Sequence, residues 1–446
     1  MTAILTIVLA AGEGTRMKSK TPKVLHKVGG LPMLAHVVNS CQRAGADKIA
    51  VVLGPKHQES EEYIQKLNAG IETVTQHEQL GTGHAAMQAR QHWQKMDGYV
   101  FVLFADNPMI QPETIERAKA VLDDGADLVV VGYEPKNAFG LGRLVMEGDQ
   151  LVRIVEEKDA SEQERQIGFC NSGIMGFKTD CLNAIIDKID NANAQGEYYL
   201  TDAAQIARDN GFVVKTSTSP EAEVLGVNDR RQLAMAENTF QQRMREKVMI
   251  GGVTLIAPET VFFSHDTKIE NDVVIEPNVV FGAGVTVKSG AVIHAFSHLE
   301  GANVGEEAQI GPYARLRPGA NMGAKSKAGN FVEVKKSDIG VGAKINHLTY
   351  IGDAEVGAGS NIGAGTITCN YDGRYKYKTN IGENAFIGSN SALVAPVTIA
   401  DGAYVASGSV VTHNVEKDAL AIGRSKQTNK PDYANTIRRR WSEKKD

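Results

Sequence analysis

Apolar and polar positions follow two different rules along this chain, and the change falls near residue 250. In the first part, β-branched and aromatic runs suited to strands occur at 4–9, 49–53, 71–75, 99–104 and 128–131. Between them, apolar residues recur at helical spacing over 32–43, 57–67, 84–94 and 112–122. This alternation predicts a mostly parallel sheet with helices on both faces, and ligands beyond the carboxyl ends of its strands. Leu233, Ala236, Phe240, Met244 and Val248 then recur at helical spacing and predict a packed connecting helix.

Beyond it the period becomes six. Ile381, Ile387, Leu393, Ile399, Val405 and Val411 form one unbroken register, followed at a fixed offset by Ala385, Ser391, Val397, Ala403 and Ser409. Earlier registers run Phe263, Ile269, Ile275, Phe281, Val287, Ile293 and then Val304, Ile310, Leu316, Met322, Ala328. An aliphatic residue every six positions predicts a parallel β-helix, with three hexads to a coil and the aliphatic side chains pointing inward. The glycines agree: 24 of the 45 lie in residues 251–446, where tight corners need them. The expected organisation is 1–230 as an α/β domain, 231–251 as a helical linker, 252–423 as a β-helix and 424–446 as a basic tail.

Composition excludes several classes. Charge is 48 basic against 53 acidic, so no global basic field points to nucleic acid. No run approaches a membrane span. The four cysteines show no metal-ligand spacing, and the apolar start lacks a basic leader. Free thiols in a reducing cytoplasm are the expectation, with no nucleic-acid and no membrane partner.

The first strand runs into Leu9-Ala10-Ala11-Gly12-Glu13-Gly14-Thr15-Arg16-Met17 and then Pro22-Lys23-Val24-Leu25. Glycines let backbone N–H groups approach a phosphate, and Arg16 and Lys23 supply charge for a polyphosphate. The spacing is neither that of a dinucleotide fingerprint nor that of a Walker loop. Gln76 to His84 offers amide, hydroxyl and backbone groups suited to a base edge. Asp106, just past a strand, is placed for Mg²⁺, with Asn228 as a second oxygen.

These loops resemble the sugar-1-phosphate nucleotidyltransferases, which have a GT-A-like, Rossmann-like fold. The resemblance implies nucleotide and sugar contacts at Leu9, Ala10, Ala11, Gly12, Arg16, Lys23, Gln76, Gly81, Thr82, Phe104, Ala105 and Asp106. It implies further ones at Gly142, Glu156, Asn171, Thr201 and Asn228, with Mg²⁺ on Asp106 and Asn228. Phe104-Ala105-Asp106 departs from the Tyr-Gly-Asp usual in bacterial relatives.

In the second part, the register stops for Asn370-Tyr371-Asp372-Gly373-Arg374-Tyr375-Lys376-Tyr377-Lys378 and resumes at Ile381. A polar, aromatic and basic insertion in a solenoid reads as a loop that leaves the coil and carries function. Coils of roughly 18 residues stack positions 317, 335, 350–353 and 370 near one edge. There Arg317 and Lys335 suit a phosphate, and His347 suits proton removal from an amine.

The repeat resembles the left-handed β-helix of hexapeptide acyltransferases. Both halves together resemble the bacterial family of bifunctional N-acetylglucosamine-1-phosphate uridyltransferase/glucosamine-1-phosphate acetyltransferases. That resemblance implies His347 as general base with Glu333 nearby. It implies an amino-sugar phosphate on Arg317, Lys335, Tyr350, Asn361 and Lys376. Acetyl-CoA would meet Ala364, Asn370, Tyr371, Ser389, Ser407 and Arg424, with UTP as the other substrate and a homotrimer as the assembly. Relatives often carry Ala where Ser407 stands. Cys369, beside this site, reads as packing, since direct transfer to an amine needs no acyl-thiol. A single-activity nucleotidyltransferase with a non-catalytic β-helix is the alternative.

Overall fold

The computed structural model describes residues 2–67 and 70–443. The chain divides into two compact units, Met1–Met244 and Arg245–Asp446. The division falls within a helix, Arg230–Ile250, whose Ala236, Phe240, Met244 and Val248 are buried.

The first unit is built on a twisted sheet. Its main path runs Val214–Thr218, Leu128–Tyr133, Cys170–Lys178, Gly98–Phe104, Ala3–Ala10, Lys48–Leu53 and Ile71–Thr75. Neighbours are parallel except Cys170–Lys178, which runs antiparallel to both strands flanking it. Along Ala3–Ala10 alternate side chains enter two separate cores: Leu5, Ile7 and Leu9 one, Ile4, Val8 and Ala10 the other. Both faces are therefore covered, as a parallel sheet requires. Each fully buried Val, Leu or Ile contributes about 1.5–3 kcal/mol relative to exposure.

Two sequence expectations are corrected. The helix expected over 84–94 is shorter: Thr82–Gln88 is α-helical, and Arg90–His92 is a separate 3₁₀ turn. The turn lets the ring of Trp93 fold inward, where it is fully buried. The antiparallel strand and the hairpin Arg143–Glu147/Gln150–Val155 were absent from the strand pattern. Cys170–Lys178 carries Gly173 and Gly176, poor strand formers in isolation. In the sheet each is required: a Cβ would lie 2.6 Å from the Phe104 ring at Gly173 and 2.6 Å from the Phe101 ring at Gly176.

The second unit is a left-handed parallel β-helix. One ladder stacks Ile275 on Ile293, Ile310, Ala328, Ile345, Ile362, Ile387 and Val405 in turn. These residues are all buried, as the six-residue period predicts. A second set of ladders carries Leu299–Leu316–Val334–Ile351 and Val304–Met322–Ile339–Val356. Ile362 still pairs with Ile387 across the lengthened coil, because the inserted segment leaves the helix and returns without disturbing register. Beyond the coils, Tyr433–Ser442 is a helix with no buried residue.

Candidate active sites

In the first unit, strand ends and loops converge on a cavity of about 280 Å³ lined by Leu9, Ala10, Ala11, Gly12, Lys23, Gln76, Gly81, Thr82, Phe104 and Asp106. A neighbouring cavity of about 250 Å³ shares Thr82 and Phe104 and adds Glu156, Asn171 and Thr201. The strand Ala3–Ala10 delivers the first group because its last residues pass straight into the glycine loop. Gly81 has φ +113°, and a Cβ there would sit 2.6 Å from the Tyr198 carbonyl oxygen. Gln76, buried, donates to the Gly81 carbonyl at 3.2 Å and so fixes that loop.

The charged centre is a three-way contact. Lys23 forms an ion pair with Asp106, and its Nζ donates to Asn228 Oδ1 at 2.8 Å. Arg16 donates to the same Asn228 oxygen at 2.9 Å. A carboxylate and a carboxamide oxygen, from positions far apart in sequence, thus converge on one cationic group. Two oxygens facing a cation are a donor set that suits Mg²⁺ completed by substrate phosphates and water. No cluster of three or more His, Cys, Asp or Glu occurs among the described residues. The metal would therefore depend on those added oxygens.

Not every residue named from sequence lines the cavities. Ala105 is buried, and its N–H donates to the Leu9 carbonyl at 3.0 Å, so it holds two strand ends together. Gly142 lies beside Glu156, whose carboxyl oxygen is 3.3 Å from where a Cβ would be. Burial pushes the Glu156 carboxyl up, an effect opposed by a hydrogen bond from Thr201. Sequence reasoning passed over Gln79 and Glu197, which line the first cavity. Gln79 donates to the Ala11 carbonyl at 2.6 Å and ties the two loops together. Its signal was present, since it stands inside the Gln76–His84 segment.

In the second unit the named residues gather along one corner of the coil. Asn330 and His347 end strands of one ladder, while Glu333 and Tyr350 begin strands of the next. The corner residues Phe331, Leu348 and Gly365 have φ of +58°, +51° and +73°. Past that corner, Arg315 pairs in register with Glu333 and Glu333 with Tyr350. Arg317, Lys335 and Lys376 form a cation group: Lys376 and then Arg317 hold the Lys335 ammonium below its ordinary range. Asn370, buried, donates to Asp353 at 2.6 Å and lies 3.5 Å from the Tyr350 hydroxyl.

The remaining residues form a column. The His347 carbonyl accepts from Gly365 N–H at 3.2 Å, next to Ala364. Gly363 lies against the backbone of Ser389, and Gly388 against that of Ser407, with Arg424 beside Gly408. Asn361 belongs to the first ladder, in register with Lys344 and Phe386. Glu333 is bound to Arg317 at 2.7 Å, and the His347 ring meets Asn330 at 2.8 Å. Asn330 was missed from sequence because one coil length separates it from His347.

Comparison with known proteins adds the family. The description "MobA-like NTP transferase domain" matches residues 6–167, and "Bacterial transferase hexapeptide (six repeats)" matches 266–301 and 378–413. The Rhizobium etli "Bifunctional protein GlmU" is 56% identical over 436 residues, covering 98% of this chain and 96% of its own. The Bartonella quintana protein of the same name is 50% identical over 442 residues, 99% of each chain. That of Brucella suis biovar 1 is 54% identical over 438 residues, covering 98% of this chain and 96% of its own. This chain belongs to the GlmU family. Similarity to GlmU proteins spans both units, so the α/β unit and the β-helix are matched together and not as separate fragments.

Proposed function

We infer that the chain makes a nucleotide sugar by two transfers, one in each unit. As a GlmU-family protein it is a bifunctional transferase, with a uridyltransferase unit followed by a hexapeptide acetyltransferase unit. The β-helix moves the acetyl group of acetyl-CoA to the amine of glucosamine 1-phosphate. The α/β unit then joins N-acetylglucosamine 1-phosphate to UTP and releases pyrophosphate. The product is a precursor for cell-wall synthesis. The observation that carries this reading is the coexistence of two built polar centres on one chain: Lys23–Asp106–Asn228, and the Arg317–Lys335–Lys376 cation group past the corner where the His347 strand ends.

In acetyl transfer, the phosphate of the substrate sits among the three cations, where it relieves their mutual repulsion. The amine attacks the thioester carbonyl as its free base, and His347 accepts the proton that the nitrogen sheds on attack. The tetrahedral intermediate collapses as the C–S bond breaks. The proton returns from His347 to the leaving thiolate, so no acyl-enzyme is needed.

In uridylyl transfer, the sugar phosphate oxygen attacks the α-phosphorus in line, and the bond to pyrophosphate breaks. No side chain acts as nucleophile; positioning and charge neutralisation by Lys23 and Arg16 carry the step. Asp106 and Asn228 would hold Mg²⁺, which supplies neutralisation of phosphate charge when bound. Glu156 and Thr201 face the sugar end of the cleft as hydroxyl partners.

A homotrimer through the β-helix fits this reading. Phe296, Tyr313 and Phe331 stack on one another along the corner of the coil with ring centroids 4.9 and 5.3 Å apart, yet each is about half exposed. No described helix is long and apolar enough to cross a membrane. The expected setting is the cytoplasm, where the four cysteines stay free.

The test supplies glucosamine 1-phosphate, acetyl-CoA, UTP and Mg²⁺ to the full chain, following free thiol and pyrophosphate separately. Wild type releases both. His347→Ala loses thiol release alone, and Asp106→Ala loses pyrophosphate release alone when N-acetylglucosamine 1-phosphate is provided. Pyrophosphate without any thiol would reduce the β-helix to a scaffold.

A further inference from the structure

We propose that Asn330 is a positioning residue for acetyl transfer, holding the His347 ring in the tautomer that can act as a base. The inference rests on the reading of His347 as proton acceptor. Asn330 and His347 are direct register partners in one parallel ladder, one coil apart. Asn330 Oδ1 lies 2.8 Å from His347 Nδ1.

The chemistry of the pair decides which nitrogen is basic. A carboxamide oxygen only accepts, so the Nδ1 facing it carries the ring proton and the lone pair is left on Nε2. The opposite amide orientation would donate into Nδ1 and place the proton on Nε2, where the ring has no base to offer. Glu333, the carboxylate expected near His347, is engaged by Arg317 at 2.7 Å. A neutral acceptor therefore fills the orienting role that a carboxylate takes in hydrolase triads. It fixes the tautomer without adding charge beside the ring.

The backbone sets the two residues side by side. The ladder at 329 and 346 is so close that a Cβ on Gly329 would sit 2.1 Å from the Asn346 carbonyl oxygen. Leu348 N–H donates to the Asn330 carbonyl at 3.1 Å, and Thr349 Oγ donates to the His347 carbonyl at 2.7 Å. The coil stacking thus fixes both partners on either side of the ring contact. His347 itself is exposed, so without Asn330 the ring would be free to rotate and to change tautomer.

The first test needs no variant. In full-length protein labelled with [¹⁵N]histidine, with the His347 signals assigned by their loss in His347→Gln, two-bond ¹⁵N–¹H correlations distinguish the tautomers. The expected pattern for neutral His347 is Nδ1–H; an Nε2–H pattern overturns the proposal. The second test is kinetic. Asn330→Ala and the volume-filling Asn330→Leu are expected to lower kcat for acetyl transfer by about 10- to 100-fold, with KM for glucosamine 1-phosphate changed less than about twofold. Asn330→Asp, which keeps an acceptor facing Nδ1, is expected to recover most of kcat. Wild-type kcat in Asn330→Ala, or equal loss in the Asp variant, overturns the assignment of Asn330. Full acetyl transfer in His347→Ala is a different failure, because it removes the base reading on which this inference stands.

Discussion

Arg317 donates through Nη1 to Glu333 Oε1 at 2.7 Å, from one coil of the β-helix to the next. Leu316 pairs with Val334, so Arg317 lies beside Lys335 and reaches back along the neighbouring strand to Glu333. The hydrogen bond to Glu333 raises the guanidinium pKa further and, more usefully, fixes its direction. An arginine held in this way presents its other N–H groups to a phosphate without having to be ordered on binding.

Removal of that guanidinium is therefore expected to act on binding. Arg317→Ala should raise KM for glucosamine 1-phosphate by about tenfold or more, with a smaller effect on kcat. Arg317→Lys should not restore it, since an ammonium cannot keep the contact to Glu333 and face a phosphate in the same plane. Steady-state thiol release against substrate concentration checks both, and an unchanged KM in Arg317→Ala would remove this residue from the phosphate site.

Asp106 is the one carboxylate in the Lys23–Asp106–Asn228 contact. Asp106→Asn is expected to lower uridylyl transfer by about a hundredfold and to raise the Mg²⁺ concentration needed for half-maximal rate. Chelation of the metal should abolish pyrophosphate release and leave thiol release intact. A metal titration of both activities in the same sample reads all three outcomes.

Asp202 provides a pH dependence. Burial first, then Asp190 and Asp159, pushes its carboxyl up to about 6. The folded unit thus binds this proton more tightly than the unfolded chain. The stability it contributes is fully present below the ordinary aspartate range and is lost as pH rises through about 6. Asp202→Asn should leave the melting temperature of the α/β unit unchanged near about pH 4 and raise it by about 2–4 °C near about pH 8. A calorimetric series across that window checks it; a difference independent of pH would point to another cause.

Cys369 ends the strand Ile367–Cys369 and precedes Asn370 in the proposed acetyl-transfer site. Burial pushes its thiol up, which keeps it protonated and a poor nucleophile. Cys369→Ala is expected to retain acetyl transfer within about threefold. Mass spectrometry of wild type quenched during turnover should find no acetyl adduct at this position. Loss of activity together with a trapped acetyl-thiol would replace direct transfer by a covalent route.

Much of the architecture was readable from residue order. A six-residue aliphatic period is a property of each short strand, and Ile387, Leu393, Ile399 and Val405 each go inward for the same local reason. The glycine loop after the first strand and the interruption at 370–378 are also local events, written in the residues that make them. The central antiparallel strand was not readable, because Gly173 and Gly176 acquire their role only from the rings of Phe104 and Phe101 pressed against them.

The partners of the polar groups needed the folded chain. Sequence placed Asp106 and Asn228 at one metal, but the Lys23 ammonium bridging them depends on how three loops meet. It placed Glu333 near His347; the folded ladder adds the partners, Arg317 on Glu333 and Asn330 on the ring. The hydrophobic period along a strand determines which face is buried, and that much is carried by the sequence alone. Which side chain meets which polar partner depends on the register between coils and on the corner where each strand ends, and only the tertiary structure sets those.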